Sequence, residues 1–177
     1  MNAARLLTLA DVAGAAQVPA KTINTWIFRK FPVIGDKDVS GGPGLPRLFS
    51  FDTTFQIAIA ADLIRFGSDI PAALEAALRI VGTSSVPCFR AMAAGEIVPT
   101  DVRPFGGLWD DGRSYYVATP AGGVMLHVPQ RATVNPLVLG LTVYSAAPQD
   151  GAGESYAMIA LNPIYRRVEA VFTARGL

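Results

Sequence analysis

Residues 7–48 constrain the fold more than any other part of this chain, because a short stretch must hold two helices and an extended pair. Thr8-Leu9-Ala10-Asp11-Val12-Ala13-Gly14-Ala15-Ala16 opens with a good helix cap, Thr8, and an acid three positions on, Asp11. That spacing is a variant of the capping box, in which two side chains satisfy each other's backbone N–H groups. Gln17-Val18-Pro19 breaks this helix after about two turns. Pro19 belongs at or just before the start of a second helix, where a missing N–H costs little. The second helix is expected over residues 20–30. Two short helices this close suit a helix-turn-helix, whose second member enters a DNA groove.

The faces of the two helices follow from their periodicity. Val12, Ala13, Ala16 and Val18 fall on the inner side of the first helix and turn, and Ile23, Trp26 and Ile27 recur at helical spacing opposite them. The outward face of the second helix then carries Lys21, Thr22, Asn24, Thr25 and Arg29, with Lys30 at its end. An Asn amide can bond bidentately to adenine, and a Thr can meet a phosphate or a thymine methyl. Ordinary solvated polar positions would look the same.

Beyond Lys30, Phe31-Pro32-Val33-Ile34 and Arg47-Leu48-Phe49-Ser50-Phe51 are short apolar runs flanking a turn-rich segment with Gly41, Gly42, Pro43, Gly44 and Pro46. A loop of that composition between two extended segments makes a wing, with Lys37 and Arg47 available to a phosphate backbone. Ser50 is the expected N-cap of a long helix ended by Gly67, with Phe55, Ala58, Ile59, Leu63 and Phe66 on its apolar face. Ser68-Asp69-Ile70-Pro71 starts another, with Leu74, Ala77, Leu78 and Val81 turned inward and Gly82 at its end.

Charge is biased toward this half. Net charge over the chain is only +1, yet residues 1–50 hold six basic against three acidic residues, while residues 81–177 hold seven of each. The excess sits where phosphate contacts would be needed. The chain is 51% hydrophobic and 16% charged, an apolar excess that points to a subunit interface. No apolar run reaches the roughly 20 residues of a membrane span. No secretory signal is apparent, so a cytoplasmic protein is expected. A single cysteine, Cys88, excludes an intrachain disulfide and a clustered-cysteine zinc site.

Leu7-Thr8-Leu9-Ala10-Asp11-Val12-Ala13, Thr22-Ile23-Asn24-Thr25-Trp26, Arg47-Leu48-Phe49-Ser50-Phe51-Asp52 and Leu63-Ile64-Arg65-Phe66-Gly67 come in the order seen in MerR-like winged-helix DNA-binding domains. The resemblance covers roughly residues 6–80. It implies a bacterial or phage protein that binds double-stranded DNA as a homodimer. It also implies that Lys21, Thr22, Asn24 and Thr25 sit where that family reads bases, and Arg47 where it grips phosphate. The chain departs from the family at Trp26, in a longer and more glycine-rich wing loop, and in lacking a heptad-patterned helix after residue 82. Excisionases and other phage architectural proteins share a similar module without that coiled coil.

From about Thr83 the pattern changes to a second domain. Thr83–Pro87 reads as a linker, 88–94 as a short helix, and 96–98, 113–119, 123–128, 137–145 and 156–161 as strands. Pro120-Ala121-Gly122-Gly123 is a hairpin signal, and Asn162-Pro163 is a helix start followed by Ile164, Val168, Val171 and Phe172 at helical spacing. An antiparallel sheet with a terminal helix is therefore expected. His127, the only histidine, lies in an apolar strand and reads as a buried residue with a hydrogen-bond partner. Cys88 reads as a small hydrophobe, and Asp110-Asp111-Gly112 and Asp150-Gly151-Ala152-Gly153-Glu154 as turns. Tyr115, Tyr116, Trp109 and Tyr144 suit core or dimer interface, or an apolar ligand pocket. No phosphate loop, dinucleotide motif, metal set or catalytic constellation stands out, so neither enzyme activity nor a cofactor is expected.

The expectation is thus an α+β protein of two domains: 1–82, a winged helix-turn-helix, and 83–177, an antiparallel sheet with a terminal helix. As a whole it reads as a homodimeric transcriptional regulator. The second domain would dimerise, bind a small-molecule effector or contact another protein. The alternative is a phage or prophage packaging, excision or assembly factor that uses the same module architecturally.

Overall fold

The computed structural model describes residues 6–33, 35, 38–39, 42, 44–82, 86, 88–92, 97–100, 108, 111–119, 122–130 and 157–176. The fold is α+β, with two sheets and five helices among the described residues. It divides into two compact units, one made of Met1–Gly82 with Pro163–Leu177 and one of Thr83–Asn162.

In the first unit, strand β1 (Leu7–Thr8) leads directly into helix α1 (Leu9–Ala16). Thr8 and Asp11 form the expected capping box: the Asp11 N–H donates to Thr8 Oγ1, and the Thr8 N–H donates to Asp11 Oδ2. The helix stops because Gln17 turns left-handed at φ 55°, so that the Val18 N–H reaches back to the Ala13 carbonyl. Pro19 is the N-cap of α2 (Ala20–Phe28), whose Ile23 and Trp26 are buried where the helix meets α1. Helix α2 ends two residues earlier than expected. Lys30 adopts φ 56° and the Phe31 N–H closes back on the Trp26 carbonyl, leaving Arg29 and Lys30 in the cap.

Strand β2 (Leu48–Phe49) pairs antiparallel with β1, Leu7 opposite Phe49, and Leu48 also bridges Val39 with two 3.0 Å backbone hydrogen bonds. Helix α3 (Phe51–Arg65) is capped by Ser50, whose Oγ accepts from the Thr53 N–H at 3.2 Å. Gly67, at φ 98°, ends it: Ser68 N–H donates to Leu63 O and Gly67 N–H to Ile64 O. Residues Thr53 to Ala61 are all buried, so α3 is the centre of the unit rather than a one-sided helix, and Phe66, expected on its apolar face, is 65% exposed. The buried Gln56 amide donates to the Pro32 carbonyl, which removes the cost of placing it there. Helix α4 (Ile70–Gly82) packs Ala73, Leu74, Ala77 and Ile80 against α3, with Leu78 only half-buried.

The last helix, α5 (Leu161–Ala174), belongs from Pro163 onward to this helical unit and not with the strands as its position in the chain implied. Phe51 stacks at 5.2 Å from both Tyr165 and Phe172, and Phe55 meets Tyr165 edge-on at 5.4 Å. Arg167 donates to Asp62 Oδ2 (3.0 Å) and to the Ala15 carbonyl, and Arg175 donates to Asp11 (2.6 Å). Burial alone would raise the Asp11 carboxyl, but the hydrogen bonds from Arg175 and Thr8 outweigh it and hold the group below its ordinary value of 3.8.

The second unit is a sheet of β3 (Cys88–Ala91), β4 (Ile97–Pro99), β5 (Gly112–Thr119), β6 (Gly122–Pro129) and β7 (Ala157–Ala160), in the order β4-β3-β6-β5-β7. Residues 88–91, expected to be helical, form a strand because hydrogen-bonding neighbours flank them on both sides. The sheet is mixed and not wholly antiparallel, since β3 runs parallel to β6. The chain between β4 and β5 is long enough to make that crossover, whereas β5 and β6 form the expected hairpin, paired from Gly112–Pro129 to Thr119–Gly122. Residues Val124 to Val128 are all buried, as suits a central strand covered on both faces. Asn162 does not cap a helix; its Oδ1 accepts from the Ser114 N–H at 2.6 Å and so clamps β5. The expected strand at 137–145 and the turn at 150–154 lie outside the described residues.

Candidate nucleic-acid interface

Helix α2 sets most of the candidate residues by simple geometry. At about 100° per residue, Asn24, Thr25 and Phe28 fall within roughly 60° of Lys21, on one side of the helix, and Ile23 and Trp26 fall on the other. Burial agrees with this division: Lys21 and Asn24 are exposed, Thr22 and Thr25 half-buried, and Ile23 and Trp26 are 0% and 3% exposed. The Thr25 hydroxyl donates to the Lys21 carbonyl at 2.9 Å, so it is engaged within the helix. Arg29 and Lys30 are exposed just past the last turn.

Arg47 is half-buried beside β2, at the far side of the loop that the Val39–Leu48 bridge closes. The base of that loop is fastened to the start of α3: the Ser50 N–H donates to Asp38 Oδ1 at 2.9 Å, and the Gly35 N–H donates to Thr53 Oγ1 at 3.1 Å. Lys37 lies outside the described residues. The structure thus brings Lys21, Asn24 and Thr25 together on one face, sets Thr22 at its edge, and holds Arg47 on a separate element.

The cations here differ electrostatically from most others in the same unit. Among the described residues, Lys21, Arg29, Lys30 and Arg47 have no acidic partner, as is also true of Arg166 on α5, whereas Arg65, Arg79, Arg167 and Arg175 are each ion-paired. Cations without a protein counter-ion keep their full charge available to an anionic partner. Sequence reasoning missed Phe28, which is 87% exposed and shares the Lys21 face. Its spacing of seven from Lys21 and four from Asn24 was the available signal.

In the sheet unit, His127 is fully buried and its Nε2–H donates to Asp111 Oδ1 at 2.9 Å; Arg90 donates to Asp111 Oδ2 at 2.7 Å. Strand register puts Arg90 and Ser114 opposite His127 on its two neighbours. Cys88 stands opposite Met125 instead, and its Sγ donates to the Val86 carbonyl. Gly112 is required where β5 begins, because an added Cβ would collide with the Val128 carbonyl and lie 2.9 Å from His127 Cε1. Tyr116 is core, and Tyr115 packs on the cluster of Val117, Val124, Leu126 and Val128; Trp109 and Tyr144 lie outside the described residues.

Burial pushes the His127 imidazole below its ordinary 6.5, against the opposing pull of Asp111. Above 6.5 the ring is neutral whether folded or unfolded, and it makes no pH-dependent contribution. As pH falls below 6.5 the unfolded chain takes up a proton that the folded chain resists, so stability declines until the folded value is passed. Urea midpoints measured from about pH 7.5 to about pH 5 should fall on the acid side, and His127→Gln should flatten that slope. An unchanged slope in His127→Gln would assign the acid sensitivity to other groups.

Among the described residues, no helix is long and apolar enough to cross a membrane, and no three His, Cys, Asp or Glu side chains are grouped to hold a metal. No protein-family model matches the chain, and no curated protein is significantly similar to it.

Proposed function

We propose that this chain is a sequence-specific double-stranded-DNA-binding regulator of bacterial or phage type, built on a MerR-like winged helix-turn-helix. Helix α2 reads the major groove, the loop closed by Val39 and Leu48 acts as the wing, and Arg47 holds the backbone. The observation that carries this reading is the outward face of α2. An exposed Asn24 stands beside Lys21, flanked by cations that have no counter-ion among the described residues, on a helix fixed from behind by Ile23 and Trp26. The protein acts in the cytoplasm as a homodimer, with two α2 helices spaced about 34 Å apart to meet successive major grooves. Because no coiled coil follows α4 among the described residues, pairing falls to the sheet unit, which also offers the place for an effector or protein partner.

A mobility-shift titration against genomic fragments tests this. Specific duplexes should bind about a thousandfold tighter than random DNA, or better, at physiological salt. Asn24→Ala should cost roughly tenfold and alter preference at one base pair. Arg47→Ala should weaken all sequences alike and lower the salt slope by about one. Equal affinity for random and genomic DNA would instead favour an architectural role in packaging or excision, and indifference to both changes would remove α2 and the wing from the interface.

A further inference from the structure

Phe28 is an unusual residue to leave in solvent. It is 87% exposed, while Trp26 on the same helix is 3% exposed. It also shares a face with Lys21, Asn24 and Thr25, and the Thr25 hydroxyl is engaged by the Lys21 carbonyl. The face therefore sets an exposed phenyl ring beside an ammonium and an amide.

Resting on the DNA-reading role proposed above, we propose that Phe28 is a specificity-determining residue that packs against thymine C5-methyl groups. The thymine methyl is the one apolar group that any base pair displays in the major groove. Asn24 and Phe28 are about 6 Å apart along the helix axis, close to the rise of two base pairs. An Asn24 amide on adenine thus puts Phe28 within reach of a neighbouring step. Arg29 and Lys30 follow the ring directly and are exposed, without acidic partners among the described residues. An apolar ring set among unpaired cations suits an anionic polymer with apolar points on its groove floor better than an apolar protein surface.

The test uses duplexes that the full-length protein selects from a randomised library. Each is resynthesised with deoxyuridine replacing thymidine at one position at a time, which removes only the methyl. Fluorescence anisotropy on the unmodified protein should show about three- to tenfold weaker binding at one or two of these positions. Phe28→Ala should bind the thymidine and deoxyuridine forms equally, Phe28→Leu should keep part of the difference, and both should keep the adenine preference. Indifference of the unmodified protein to every replacement, or full discrimination by Phe28→Ala, would overturn the role of Phe28 while leaving base reading intact. Selection that yields no consensus sequence would overturn base reading, and this role with it. Because the ring is exposed, Phe28→Ala should melt with the unmodified protein, and a matching thermal transition excludes loss of fold as the cause.

Discussion

A chain that stops at Asn162 is expected to lose the cooperative unfolding of its helical unit, although every residue of α1 to α4 is retained. Ile164, Val168 and Phe172 are 1%, 0% and 6% exposed, and burying side chains of this size contributes roughly 1.5–3 kcal/mol each. Their combined loss is comparable with the roughly 5–15 kcal/mol that holds a whole domain folded. Removal also uncovers Phe51 and Phe55, which pack on Tyr165 and Phe172. It strips Arg175 from Asp11, whose side chain is only 11% exposed, and Arg167 from Asp62. Circular dichroism should record reduced helix content and a broad, non-cooperative melt, and an α5 peptide added in trans should restore the transition. A truncated chain that melts cooperatively within about 5 °C of the full chain would mean that α5 is an accessory and not part of the core.

Trp26→Ala should be the most damaging single change in α2, at about 3–5 kcal/mol. The indole is the largest buried side chain of this helix, and alanine would leave a cavity behind α2. Two residues on, Phe28→Ala should change stability by less than about 0.5 kcal/mol, because its ring buries almost nothing. Urea titrations of the pair separate the two aromatic roles. Similar midpoints for both variants would contradict the assignment of Trp26 as anchor and Phe28 as outward reader.

The start of α1 and both ends of α3 were legible because they depend on neighbours in sequence. Thr8 with Asp11, Ser50, and Gly67 all act within a turn of their own position, so residue identity predicts them well. What misled were segments decided from a distance. Cys88-Phe89-Arg90-Ala91 is too short to show a helical or strand period, and two flanking strands settle it. Asn162 before Pro163 has the grammar of a helix cap, but β5 takes its side chain. The amphipathic face of α5 is plain in sequence, yet amphipathicity names no partner, and its attachment rests on Phe51, Asp62 and Asp11, far back in the chain. At the candidate interface the polar residues were legible by type. Phe28 was not, since an aromatic side chain is read as core until burial is known.

The placement of α5 also governs the order in which this protein can be made. Helices α1 to α4 leave the ribosome well before the segment that completes their core, with all of Thr83–Asn162 to be translated in between. At roughly 5–20 residues per second, that interval is on the order of seconds. During it the Phe51–Phe55 surface stands open on the nascent chain, while the whole of the sheet unit emerges. The sheet unit is therefore ready to fold first, and the module at the amino end is the last to close.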